Sequence, residues 1–125
     1  TEWIDEQAVE DTLSSLVNAI NNSDDKVVVA GSTATTSSSE ERHIEFSLQR
    51  ANKVKNLLIN LGADSSKLIA IGIGKSYERY RVPDTGEYAS DENHAKNRCV
   101  FIVSASSDKG KYFLDVAKKF PVNGL

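Results

Sequence analysis

The longest regular pattern of hydrophobic and polar positions in the chain lies between His43 and Gly62. Its apolar members recur at the spacing of one helical face: Phe46, Val54, Leu57, Leu58 and Leu61. Ser38 and Glu41 have the spacing of a capping box, and Gly62 stands where a left-handed C-terminal cap is favoured. The pattern predicts one amphipathic helix that begins near Ser38 and ends at Leu61.

Two apolar runs flank this helix and predict β-strands, at residues 27–30 before it and 68–73 after it. The first run contains no polar residue, which favours a central strand that is covered on both faces. A strand–helix–strand unit predicts a parallel pair joined by a crossover. A third strand at 99–103 follows a long loop and is expected to run antiparallel to its neighbour. The sequence therefore predicts an α/β (α+β) fold, with helices packed on a mixed parallel and antiparallel sheet.

Two further helices are predicted at the ends of the chain, at residues 3–20 and at 112–120, where Pro121 stops the second. Residues 74–96 show no clean period and predict a long loop, of the kind that is usually functional or mobile. A length of 125 residues suits one hydrophobic core. We therefore expect a single domain over residues 1–125.

The charge balance excludes one class of partner. The formal net charge is −3 and both signs are interspersed, so no basic surface is available to displace the counterions of a nucleic acid.

Cys99 is the only cysteine, which rules out an internal disulfide, and its apolar neighbours predict a buried side chain. No apolar run is long enough to cross a bilayer. Because the chain starts at Thr1, we expect it to be a fragment of a longer protein whose N-terminal part carries a membrane anchor.

Motifs of catalysis and cofactor binding are mostly absent. His43 and His94 are too few for a histidine-rich metal site, and the His43-x-Glu45 pair is expected to be solvated on a helix surface. Gly72-x-Gly74 ends a strand but lacks the third glycine of a dinucleotide fingerprint. The first strand is not followed by the Gly-Lys-Ser/Thr of a phosphate loop. The sequence therefore predicts no enzyme activity, no cofactor and no metal.

The segment from Gly31 to Ser39 is small and rich in hydroxyl groups. It joins a strand to a helix, and the end of a parallel strand beside a helix N-terminus is a favoured position for a ligand, especially an anion. A flexible connector is the alternative, and the composition of the segment does not decide between the two.

Arg50 lies slightly deeper along the predicted helix, and its planar guanidinium suits a carboxylate that accepts two parallel hydrogen bonds. Thr33 and Ser47 can add neutral hydrogen bonds. This combination predicts a ligand that carries carboxylates, such as a peptide. The alternative for Arg50 is a structural ion pair with a nearby glutamate: Glu40, Glu41 or Glu45.

Four motifs occur in a characteristic order. They are Val27 to Gly31-Ser32-Thr33-Ala34, then His43-x-x-Phe46-Ser47-x-x-Arg50-Ala51-x-x-Val54-x-x-x-Leu58, then Gly72-x-Gly74, and finally Asn97-Arg98-Cys99-Val100. In these motifs, which lie within residues 27–103, the chain resembles the OmpA-like, peptidoglycan-binding domain family. That family includes peptidoglycan-associated lipoproteins and the periplasmic part of the flagellar stator B protein.

The resemblance implies that Arg50 binds a carboxylate of the diaminopimelate unit in the peptidoglycan stem peptide. It implies further ligand-binding residues at the matching motif positions: Thr33, Ser47, His43, Asn97 and Arg98. The family's aspartate, which meets the ammonium end of diaminopimelate, falls on Ala34. Glu40 or Glu41 is expected to supply the missing negative charge.

The resemblance implies a non-enzymatic periplasmic domain that anchors a membrane protein or complex to peptidoglycan. The alternative is a protein-interaction module of a secretion system or ion-driven motor, with weak or lost peptidoglycan binding. Its partners would be inner-membrane channel or secretion-system subunits. A homodimer is a further expectation, because stator-like relatives commonly dimerise.

Overall fold

The computed structural model describes the backbone of residues 6–125 and the side chains of residues 14–125. Within these residues the chain forms four α-helices and three β-strands. In chain order they are α1 (Glu6–Asn22), β1 (Val27–Ser32), α2 (Glu40–Asn60), β2 (Leu68–Gly74), α3 (Asp91–Asn97), β3 (Val100–Ser104) and α4 (Asp108–Lys118).

The three strands form one sheet in the order β2-β1-β3. β1 runs parallel to β2, with Val27 opposite Leu68, and antiparallel to β3, with Val27 opposite Ser104. Every residue of β1 is buried, as the apolar run at 27–30 predicts. The predicted mixed sheet with a covered central strand is therefore confirmed.

The alternation of side chains along β1 divides the core between the two faces of the sheet. Val27 and Val29 pack on one face with residues of α1 and α2. Val28 and Ala30 pack on the other face with residues of α4, including Phe113. Because helices cover both faces, the central strand has no side that requires polar residues.

Two glycines allow α2 to lie directly on the sheet. A Cβ atom at Gly31 would be 1.9 Å from the carbonyl oxygen of Ser47, and one at Gly72 would be 2.5 Å from that of Ile44. Backbone atoms cannot rotate away as a flexible side chain can, so glycine is required for this approach. The contact sets the height of α2 above the ends of β1 and β2.

The start of α2 and one of its predicted core residues differ from expectation. Ser39, rather than Ser38, is the N-cap, and its hydroxyl accepts a hydrogen bond from the N–H of Arg42. Phe46 is 42% exposed, so its assignment to the apolar face is wrong; its ring lies 5.2 Å from the guanidinium of Arg42. The buried face instead includes residues that apolar periodicity does not select: His43, Ile44, Ser47 and Ala51.

The predicted loop at 74–96 is more regular than its sequence suggests. It contains α3 and two short 3₁₀ segments, Glu78–Tyr80 and Gly86–Tyr88. Ser90 caps α3 by accepting a hydrogen bond from the N–H of Asn93. A helix this short shows little periodicity, and the description of the whole segment as a loop is wrong.

The remaining boundaries shift by a few residues. β3 begins one residue later than predicted. α4 begins at Asp108 rather than at residue 112, because the hydroxyl of Ser107 accepts a hydrogen bond from the N–H of Gly110 and caps it. α1 is present over Glu6–Asn22, whereas its predicted start at Trp3 lies outside the described residues.

Candidate functional site

The chain that leaves β1 is as deeply buried as the strand itself. Thr33 is 6% exposed and Ala34 is 2% exposed. The N–H of Thr33 donates to the carbonyl oxygen of Gly74 at 3.0 Å, which joins the ends of β1 and β2. The first half of the hydroxyl-rich segment is therefore packed at the carboxyl ends of β1 and β2.

The side chain of Arg50 reaches from α2 to this end of β1. Its Nη1 donates a hydrogen bond to the carbonyl oxygen of Ser32, and the residue is partly buried. Burial lowers the pKa of Arg50, yet a guanidinium stays protonated in proteins. Because the group carries several N–H donors, one bond to a carbonyl leaves donors that can hold a carboxylate.

Arg50 has no carboxylate partner among residues 14–125. The ion pairs in that part of the chain are Arg81–Asp84 and Lys96–Glu92. The alternative in which a neighbouring glutamate neutralises Arg50 is therefore wrong for every candidate considered: Glu40, Glu41 and Glu45.

Arg98 adds a second cation near Arg50. It is exposed and follows α3 directly, where its N–H donates to the carbonyl oxygen of Ala95 at 3.1 Å. Burial and, to a smaller extent, the positive charge of Arg98 lower the pKa of Arg50. Since neither arginine is paired with a carboxylate in the described part of the chain, the two cations together attract an anion.

His43 connects α2 to the segment after β1. It is 2% exposed, with Nδ1 at 2.9 Å from Oγ1 of Thr33 and Nε2 at 3.4 Å from Oγ1 of Thr36. Burial lowers the pKa of His43, which keeps the imidazole neutral at neutral pH. The expectation of a solvated His43 is therefore wrong, and both ring nitrogens already have partners.

Ser47 and Asn97 are buried and use their polar atoms within the protein. The Ser47 hydroxyl donates to the carbonyl oxygen of Ile44 at 2.8 Å and accepts from the N–H of Gly74 at 3.0 Å. The Asn97 side chain accepts a hydrogen bond from the N–H of Val82 at 3.0 Å and donates one to the carbonyl oxygen of Val82 at 2.7 Å. These two side chains hold the end of β2 and the loop that follows it.

Two residues that sequence reasoning missed, Arg81 and Asp84, bind the segment that leaves β1. The Nη1 of Arg81 donates to the carbonyl oxygen of Thr33 at 3.2 Å, and its Nη2 donates to Oγ1 of Thr35 at 2.8 Å. Oδ2 of Asp84 accepts from the N–H of Thr35 at 2.8 Å and lies 3.3 Å from Nη2 of Arg81. Their three-residue spacing in a polar segment was the one signal in the sequence, and it is a weak one.

Asp84 brings a carboxylate beside the position where the resemblance implies an aspartate. That position holds Ala34, and the residue bound by Asp84 is the next one, Thr35. Burial raises the pKa of Asp84, but the hydrogen bonds from Thr35 and the charge of Arg81 outweigh it and lower the pKa to about 2. Asp84 is therefore ionised at neutral pH and paired with Arg81.

Glu40 and Glu41 lie exposed in the first turn of α2. Glu40 accepts a hydrogen bond from the hydroxyl of Ser76 at 2.7 Å, which places its carboxylate near the chain that leaves β2. No cation of residues 14–125 is paired with either glutamate. Their role in supplying a negative charge to a ligand stays a prediction.

Cys99 lies just before β3 and is partly buried, whereas a buried side chain was predicted. Its Sγ is 3.2 Å from the hydroxyl of Ser32, and burial raises the pKa of the thiol. The residue is therefore an uncharged neighbour of the Arg50 contact.

The described residues contain no group of three or more His, Cys, Asp or Glu side chains arranged to hold a metal ion. Nor does any helix in that part of the chain have the length and apolar character that spanning a bilayer requires.

Comparison with known proteins gives one family and several solved structures. The sequence model of the OmpA family matches residues 4–98. No curated protein sequence matches the chain. The peptidoglycan-associated lipoprotein from Burkholderia pseudomallei is 16% identical, with a TM-score of 0.67 over 83% of this chain and 86% of that chain.

Two further structures are similar in fold. The C-terminal domain of Helicobacter pylori MotB is 18% identical, with a TM-score of 0.63 over 95% of this chain and 88% of that chain. The OmpA-like domain of FopA1 from Francisella tularensis subsp. tularensis is 24% identical, with a TM-score of 0.55 over 76% of this chain and 61% of that chain. At these identities the similarity shows a shared fold.

Proposed function

This chain belongs to the OmpA family, and from that membership and the geometry of Arg50 we propose that it binds peptidoglycan and tethers a membrane-anchored protein to the cell wall. The proposed ligand group is a carboxylate of the diaminopimelate unit in the stem peptide. The proposed domain is single, periplasmic and non-enzymatic.

The observation that carries this proposal is the combination of partial burial and missing carboxylate partner at the Arg50 guanidinium, as far as side chains are described. It is partly buried at the end of β1 and donates to a backbone carbonyl, and no carboxylate of residues 14–125 neutralises it. A guanidinium that is partly desolvated but unpaired favours an anionic partner, and a carboxylate matches its planar donors in two parallel bonds. Arg98 increases the local positive charge.

The other residues of the site have a supporting role in this proposal. His43, Ser47 and Asn97 are buried and hydrogen-bonded to the segments that surround Arg50. They hold the ends of β1 and β2 and the loop before α3 in place. Thr33 contributes in the same way, through its bonds to His43 and to Gly74 at the end of β2.

The fold similarity to a peptidoglycan-associated lipoprotein agrees with the proposed ligand. It does not extend to every family position, because Ala34 stands at the aspartate position. Asp84 lies near it but is already paired with Arg81.

This internal pairing favours a second candidate function. In it the domain is an interaction module of a secretion system or ion-driven motor, and its wall binding is weak or lost. The fold similarity to MotB is compatible with this alternative. The two functions differ in one measurable property, which is retention of the isolated domain by peptidoglycan.

A pull-down with purified sacculi separates them. We expect wild-type protein to sediment with sacculi and Arg50→Ala to lose most of that retention, because one charged hydrogen bond contributes about 1.5–3 kcal/mol. Arg42→Ala is the matched control, since it removes an exposed arginine from the same helix. Thermal unfolding monitored by circular dichroism checks that all three proteins are folded.

Equal retention of wild type and Arg50→Ala would exclude Arg50 from the site. No retention of the folded wild type would favour the interaction module. A loss in Arg42→Ala as large as that in Arg50→Ala would indicate binding through general charge alone.

A further inference from the structure

The Arg81–Asp84 ion pair lies against the segment that leaves β1. The two side chains are 11% and 2% exposed. Arg81 is held by contacts beyond the pair, through its bonds to Thr33 and Thr35 and by the ring of Tyr77, whose centroid is 5.0 Å from the guanidinium carbon. The cation of Arg81 is therefore a built-in part of the site.

Asp84 has little capacity left for a ligand. Its Oδ2 accepts from the N–H of Thr35 and faces Nη2 of Arg81, and almost none of its surface meets solvent. A ligand ammonium could reach this carboxylate only by displacing Arg81. That displacement would leave a largely buried cation without its partner, which is strongly unfavourable.

Two cations near the end of β1 are not part of this ion pair. Arg50 and Arg98 have no carboxylate partner among residues 14–125. Glu40, an exposed acid at the start of α2, accepts a hydrogen bond from Ser76, beyond the end of β2. The site thus offers a ligand two cations that have no carboxylate partner in the part of the chain with described side chains, while its buried acid is already paired with Arg81.

We propose that the site recognises the carboxylate of its ligand and does not recognise a ligand ammonium, because Arg81 already occupies Asp84, the buried acid beside the position of the family's aspartate. This inference rests on the proposed function and specifies its ligand chemistry. Diaminopimelate carries both groups, so the site would recognise only one of the two. Arg81 and Asp84 are then specificity-determining residues that exclude a contribution from the amine.

Calorimetric titration with three forms of a soluble stem peptide that contains diaminopimelate tests this directly. The forms are unmodified, acetylated on the side-chain amine, and amidated on the side-chain carboxylate. For wild type we expect the acetylated peptide to bind within about twofold of the unmodified one. We expect the amidated peptide to bind at least about tenfold more weakly, the effect of losing a charged hydrogen bond.

Arg81→Ala should change this pattern, because it leaves Asp84 available to an ammonium. In that variant the unmodified peptide is expected to bind about tenfold more tightly than the acetylated one. Arg79→Ala is the control, as it removes an exposed arginine of the same loop that stacks on Tyr80 and Tyr112. It should keep the wild-type pattern.

A tenfold loss of wild-type binding on acetylation would overturn the inference and leave the proposed function standing, provided that amidation also weakens binding. If no form binds and sacculi do not retain the protein, the proposed function fails and the inference fails with it. The wild-type comparison decides the question even where Arg81→Ala does not fold.

Discussion

Nη2 of Arg81 lies 3.3 Å from Oδ2 of Asp84, in an ion pair that is almost completely removed from solvent. Both residues belong to the loop after β2, yet both also bond to the segment after β1, at Thr33 and Thr35. Removing two charges from water costs free energy that their mutual attraction offsets only when further hydrogen bonds satisfy them. Here those bonds come from the neighbouring segment, so the pair fixes the position of one loop on the other.

Breaking this pair should destabilise the fold. Arg81→Ala is expected to lower the free energy of unfolding by about 3 kcal/mol, because it leaves a buried carboxylate without its cation. The double variant Arg81→Ala/Asp84→Ala should lose less than the sum of the two single variants. Urea unfolding of the four proteins measures the coupling.

The exposed pair Lys96–Glu92 gives a control for this cycle, since its side chains are 54% and 78% exposed. Lys96→Ala should change the free energy of unfolding by less than about 0.5 kcal/mol. Losses of equal size at the two pairs would contradict a structural role for the buried one.

Asp84 should also make stability depend on pH in the acid range. Its pKa is about 2 in the folded protein, against an ordinary value of 3.8, so the unfolded chain takes up this proton first as the pH falls. The stabilisation, about 2 kcal/mol, is fully present above about pH 4 and is lost as the pH falls towards about 2. Urea unfolding of wild type and Asp84→Asn across this window should show their difference shrinking by that amount, and a constant difference would refute it.

His43 should give a second pH dependence, nearer neutrality. Burial lowers its pKa below the ordinary value of 6.5, so protons bind the unfolded state preferentially as the pH falls below that value. The contribution of the neutral imidazole is complete above about pH 6.5 and decreases below it. His43→Gln should remove this dependence, and thermal unfolding of both proteins between about pH 7.5 and pH 5 checks it. His94 is present in both proteins, so parallel curves would show that His43 titrates normally.

Gly31→Ala should disturb the packing of α2 on the sheet. The new Cβ would lie 1.9 Å from the carbonyl oxygen of Ser47, and the helix backbone must shift to relieve the overlap. We expect a loss of about 3 kcal/mol or more in the free energy of unfolding, at the upper end for overpacked cores. Because Arg50 lies one turn further along α2, weaker sacculus binding should accompany the loss in any variant that still folds. Unchanged stability would mean that α2 does not lie this close to β1.

Much of the architecture could be predicted because it depends on local pattern. Burial is confirmed for the apolar run of β1 and for two periodic residues of α2, Val54 and Leu58. The same reasoning failed at two residues of α2. Phe46 was expected to be buried and is exposed, and His43 was expected to be exposed and is buried. Hydrophobicity does not encode the hydrogen bonds with Thr33 and Thr36 that let a histidine face inwards.

By itself the sequence determined the order of the strands and of the helices other than α3, the mixed sheet and the choice of Arg50 as a candidate, because spacing and residue chemistry are properties of neighbouring positions along the chain. Only the tertiary structure decided that Arg50 has no carboxylate partner in the described part of the chain, and that Asp84 comes to lie beside Ala34. Those relationships join residues far apart in sequence, 49 positions in the case of Asp84 and Thr35. Their free energies depend on burial and on the surrounding hydrogen bonds, which exist only once the loops have packed together.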